Sequence, residues 1–142
     1  MSVVGEAECF VCTSATGQTM HLWLKALDDG RMWAWLEESL LEPVIVAPAE
    51  AAQALNSWRA IRDRIRRGAA SDQQFAIIFT GEHSRRRTVL VFGQTRQGHM
   101  TYWRDGELLE PVPLDLNAVD ELIDTWEAVA CVAAGNPRQT AC

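Results

Sequence analysis

Three tryptophans and two cations fall at alternate positions of two neighbouring extended segments: Trp23 and Lys25 in the first, Arg31, Trp33 and Trp35 in the second. His21 and Glu37 extend the same alternation. In a strand such positions share one face. Single-stranded nucleic acid suits this mixture, because bases stack on aromatic rings for ~1–3 kcal/mol each and Lys or Arg meets phosphate. A second stretch repeats the theme more weakly: Arg87, Val89 and Val91, then His99, Thr101 and Trp103. Trp and Val on an open sheet face equally suit a protein interface, since exposed apolar patches mark contacts of any kind.

Other chemistry finds less support. Cys9-Phe10-Val11-Cys12 has CxxC spacing, but residues three apart on a strand point to opposite faces and do not readily share a metal. The cysteines, which include Cys131 and Cys142, read as reduced thiols and not as a disulfide framework. His21, His83 and His99 are scattered, and no glycine-rich phosphate loop or nucleophile elbow is present. Arg85-Arg86-Arg87 could meet phosphate, but a charge run entering a strand also protects an edge. The expectation is a protein without catalytic residues, metal or cofactor.

The elements that would carry these residues recur along the chain. Leu41-Glu42-Pro43-Val44 returns as Leu109-Glu110-Pro111-Val112, an offset of 68 residues. At that offset Trp58 meets Trp126, Trp35 meets Trp103, Met32 meets Met100, Gly30 meets Gly98 and Leu22 meets Leu90. In the first copy, 9–13, 19–27, 31–37 and 44–47 read as strands, with Asp28-Asp29-Gly30 as a hairpin turn. Pro48 then opens a helix that stops at Gly68, with Ala51, Leu55, Trp58, Ile61 and Ile65 on one face. In the second copy, 75–80, 88–94, 99–103 and 112–114 are the strands. Asn117 reads as the N-cap of a helix ending at Gly135, with Val119, Leu122, Ile123, Trp126 and Val129 buried. Trp58 and Trp126 therefore belong to the core. The expected fold is α+β: one domain, 1–142, built by internal duplication of a ββββα unit (8–68 and 75–135, tail 136–142). It would have two antiparallel sheets, each covered by one helix and open on its other face.

The passage from last strand to helix, Val44-Ile45-Val46-Ala47-Pro48-Ala49-Glu50 and Val112-Pro113-Leu114-Asp115-Leu116-Asn117, resembles that of the Whirly single-stranded-DNA-binding proteins. The order ββββα also resembles the repeat of the purine-rich-element-binding (PUR) proteins and the unit of the positive-cofactor-type coactivators. The resemblance lies in topology, without a specific motif. It implies single-strand binding across the sheets, at the face of His21, Trp23, Lys25, Arg31, Trp33 and Trp35 and at Arg87, His99 and Trp103.

Charge tempers that implication. The net charge is −6, whereas proteins that live on nucleic acid are usually basic. Yet ten of the arginines lie between Arg59 and Arg104, against Asp63, Asp72 and Glu82 alone. Arginines flanking the Trp face favour single-stranded DNA or RNA. Arginines behind it favour a protein-interaction module (an inhibitor, immunity protein or chaperone) docking a protein through the same face. A homo-oligomer would use that face too. Glu6 and Glu8 stand where a secretory signal carries Lys or Arg, and no apolar run reaches the ~18 residues of a membrane helix. The expected location is cytoplasmic, off the membrane.

Overall fold

A computed structural model describes residues 3–106 and 111–135 (of 3–7, the backbone alone). Leu109-Glu110 and the tail 136–142 fall outside these residues. Four strands and a helix follow one another twice: β1 (Val3–Thr13), β2 (Thr19–Leu27), β3 (Met32–Leu36), β4 (Val44–Val46) and α1 (Pro48–Arg66), then β5 (Phe75–Gly81), β6 (Arg87–Gln94), β7 (Met100–Arg104), β8 (Val112–Leu114) and α2 (Leu116–Ala133).

The eight strands form one antiparallel sheet in sequence order, not the two sheets expected. The join is β4 against β5, with Val44 opposite Gly81 and Ile45 opposite Thr80. Each four-strand run would otherwise end on an edge of unpaired N–H and C=O groups, and pairing the two edges satisfies both. The helices are also exchanged relative to expectation: α1 packs on β5 and β6, and α2 packs on β1, β2, β3 and β8. α1 thus covers strands of the second half, and α2 covers three strands of the first half together with β8.

The sheet curls around the helices. Across its inner side, the Tyr102 hydroxyl on β7 donates to Met20 Sδ on β2 at 3.0 Å. The outermost strands approach at one backbone bond, from Ala15 N–H to the Pro113 carbonyl, 2.9 Å. Strand alternation sets the two faces. Met20, Leu22, Leu24, Ala26, Met32 and Ala34 point inward and are buried with Leu90, Phe92, Met100 and Tyr102. Trp58 and Trp126 lie at the centre of the core, as their helical spacing requires.

Local chemistry fixes the ends. Pro48 opens α1, and Glu50 Oε1 accepts the Ala47 N–H at 2.9 Å. Asp115, not Asn117, caps α2, its Oδ1 accepting from Ala118 N–H at 2.9 Å. No helix among the described residues is long and apolar enough to cross a membrane.

Candidate interaction face

The outer side of the sheet carries the aromatic and cationic residues. Trp23 stands opposite Trp35, and Lys25 opposite Trp33. The row continues from Trp33 to Ile45, from Ile45 to Thr80 and from Thr80 to Arg87. Lys25, Trp33, Ile45, Thr80 and Arg87 therefore line up across five strands, a span of roughly 19 Å at ~4.8 Å per strand. Lys25 Nζ sits 4.2 Å from the Trp33 ring centroid, a cation–π contact. Trp35 Nε1 donates to the Leu40 carbonyl at 3.1 Å, which fastens that ring to the β3–β4 connection. Trp23, Trp33 and Trp35 are all half-buried.

The remaining sequence-predicted residues are dispersed. Arg31 lies in the turn before β3, its guanidinium 2.7 Å from Asp29. Trp103 faces outward on β7 opposite Val91, four strands from Trp33. His99 precedes β7, and its N–H bonds to Thr95 Oγ1 at 3.1 Å. His21 ends the patch: its Nδ1 is 2.7 Å from Glu38 Oε2, its backbone N–H donates to Glu38 Oε1 at 2.8 Å, and Glu37 lies 3.7 Å away. The hydrogen bond with Glu38 raises the imidazole pKa. Among the described residues, His21, Glu37 and Glu38 alone bring three metal-ligating side chains within 4.8 Å. Both Glu38 oxygens are already engaged by His21, so the geometry is that of an ion pair.

Two residues of this face escape a reading centred on aromatics. Val11 on β1 is 53% exposed and Ile78 on β5 is 44% exposed. Both point outward by the same alternation that placed Trp23. Cys9 and Cys12 take opposite faces, as their spacing requires: Cys9 is exposed and Cys12 is buried, where burial pushes the thiol up to about 11. Cys131, fully buried on α2, is disulfide-bonded, against the expectation of reduced cysteines.

The arginines of α1 lie on the opposite side of the molecule from this face. Arg59 pairs with Glu127. Arg62 reaches Asp63 at 3.3 Å, and Arg66 reaches Asp120 at 2.9 Å. Arg64 bonds Ser71 and Gln73.

A second local device joins the two halves of the sheet. The Glu42 carboxylate accepts from the His83 and Ser84 N–H groups at 2.7 and 3.0 Å. It lies over Gly81 so closely that a Cβ there would sit 2.7 Å from the carboxylate. Hydrogen bonds from the Ser84 hydroxyl and these amides hold Glu42 down at about 2.

Comparison of the chain with known protein families, curated proteins and solved structures finds no match.

Proposed function

We propose that the protein is a non-enzymatic interaction module that docks a protein partner on the outer face of its sheet. The observation that supports this reading is the position of the α1 arginines. Arg59, Arg62 and Arg66 are ion-paired with acids on the helix side, where they do not flank the tryptophans. The outer face keeps Lys25 and Arg87 as its strand cations, and phosphate affinity grows with the number of cations that meet it. It also offers Trp23, Trp33, Ile45, Val11 and Ile78, an apolar surface of the kind that forms interface centres. Glu37 and Glu38 border it, so the partner would present an apolar patch with a basic rim.

A second reading, single-stranded nucleic acid, draws on the row from Lys25 through Trp33 to Arg87. One experiment separates the two. Wild type and a Trp33→Ala/Ile78→Asp variant are immobilised and exposed to lysate of the producing cell. In parallel, both are titrated into a labelled single-stranded oligonucleotide at low and moderate salt. Under the protein reading, wild type retains a partner that the variant loses, and the oligonucleotide anisotropy stays flat. Salt-sensitive oligonucleotide binding that the variant loses would replace the first reading with the second.

A further inference from the structure

The middle of the outer face lies over the β4–β5 junction, and its charge is divided about that line. β3 flanks β4 on one side, and β6 flanks β5 on the other. Glu37 follows β3, its N–H continuing the ladder to the His21 carbonyl at 3.0 Å. Alternation with Trp33 and Trp35 turns it outward. Its side chain is 42% exposed, with His21 Nδ1 at 3.7 Å. Arg85 and Arg86 lead into β6 at the same end of the sheet. The bond from the Gly81 N–H to the Arg86 carbonyl, 2.8 Å, and the bridge from Glu42 to His83 and Ser84 place them there. Both arginines are exposed, and neither forms an ion pair among the described residues. The acid and the arginines thus stand one strand to either side of the junction. The surface between them is apolar: Leu41, in the connection before β4, is 90% exposed, and Ile78 on β5 is 44% exposed.

We infer that the partner docked on the outer face is a second copy of this chain, related to the first by a twofold axis running along the strands over the β4–β5 junction. The inference rests on the docking reading above. Rotation about that axis exchanges the two flanks, so Glu37 of each copy comes opposite Arg85 and Arg86 of the other, twice in one interface. Leu41 and Ile78, beside the axis, meet the same residues of the second copy. A closed twofold interface requires this kind of self-complementarity. The chain's own surface therefore supplies the apolar patch with a basic rim that Glu37 and Glu38 call for. The shape agrees. The sheet curls around its helices, with Tyr102 reaching Met20 across the inner side, so the outer side is convex. Two convex faces meet along their middle strands, where the exposed apolar residues are.

Sedimentation equilibrium of the full-length chain tests this. Wild type is expected to dimerise reversibly, and Ile78→Asp to be monomeric. Glu37→Arg alone and Arg85→Glu/Arg86→Glu alone should each weaken the dimer by about ten-fold or more, because like charges then face one another at both contacts. An equimolar mixture of these two variants should restore the dimer, since every arginine flank then faces a glutamate flank. A variant that had failed to fold cannot be rescued in this way. The inference is overturned by a wild type that stays monomeric throughout the concentration range, by an Ile78→Asp chain that dimerises like wild type, or by a mixture no tighter than its components. Each of these outcomes leaves the docking reading standing if the immobilised wild type still retains a different protein that Trp33→Ala/Ile78→Asp loses. A monomeric wild type that retains nothing overturns both.

Discussion

Trp58 and Trp126, 68 residues apart in sequence, meet at the centre of the protein with ring centroids 5.0 Å apart and planes at 82°. The adjoining pair, Arg59 and Glu127, has the same separation and forms an ion pair between the two helices. Both contacts join α1 to α2 between residues 68 positions apart in the chain. The edge-to-face geometry is the favoured one for aromatic rings.

The two rings are not equivalent in polarity, and this predicts unequal losses. Trp126→Phe removes a buried hydrogen bond to Ala51 and leaves that carbonyl without its indole donor. Trp58→Phe removes a donor that has no partner among the described residues. Urea unfolding should therefore find Trp126→Phe the more destabilising, by about 1 kcal/mol, the net value of one such bond. Equal losses, or the reverse order, would contradict this account of the core.

The Arg59–Glu127 pair should contribute little. Both side chains are 35% exposed, and exposed pairs are worth ~0.2–1 kcal/mol. A double-mutant cycle with Arg59→Ala and Glu127→Ala is expected to fall in that range at low salt and to shrink at high salt. A coupling that salt does not reduce would show that the pair is shielded from solvent.

Glu42 lies over Gly81 so closely that a Cβ there must push its carboxylate aside. Gly81→Ala should displace the carboxylate from the His83 and Ser84 amides, and the loss of these charge-assisted bonds should lower the unfolding midpoint at neutral pH. It should also return the Glu42 pKa toward its ordinary 4.5. Because the folded-state value is depressed, the stabilisation is present above pH 4.5 and is lost as pH falls toward about 2. Carboxyl NMR titration of wild type and Gly81→Ala, beside their unfolding midpoints, measures both statements. An unchanged Glu42 titration in the variant would refute them.

His21 titrates in the opposite sense. Its pKa is raised above 6.5 by the hydrogen bond to Glu38, so the pair stabilises the fold fully below pH 6.5. That contribution fades as pH rises through the folded-state value. Unfolding midpoints measured from below that value to above it should decline for wild type, and the decline should flatten in His21→Gln. Parallel profiles would show that Glu38 does not distinguish the two protonation states.

Most of the local structure is readable from residue types. Alternation in β2 separates Leu22 and Leu24 from Trp23 and Lys25, and the 3.6-residue period of the helices places Trp58 and Trp126 inside. What escapes is long-range. Nothing in Val44-Ile45-Val46 or in Phe75–Gly81 states that these two strands will pair with one another. A three-residue strand between prolines reads as an edge, and its partner is chosen by the geometry of the whole sheet. The exchange of helices has the same origin, because an amphipathic face records that it must be covered, not by which strands. At α2, Asp115 and Asn117 are both competent caps two residues apart, and Asp115 takes the role because the helix begins at Leu116. The outward Val11 and Ile78 were legible by alternation. The interior partners of Trp58 and Tyr102 were not, since they join residues distant in the chain.

Ile45 and Pro113 occupy the same place in the two halves of the sheet. Ile45 stands opposite Thr80 with an amide to offer, and β4 is zipped to β5. Pro113 offers a carbonyl but has no N–H, and its strand reaches the turn after β1 through the bond to Ala15. One missing hydrogen atom therefore separates a seam from a clasp. The sheet is thus laddered at the β4–β5 junction and held at its outer ends, among the described residues, by the bond from Ala15 to Pro113. Pulled apart or warmed, it should gape first at Ala15, beside Thr16 and Met20, uncovering its interior there while the stitched junction still holds.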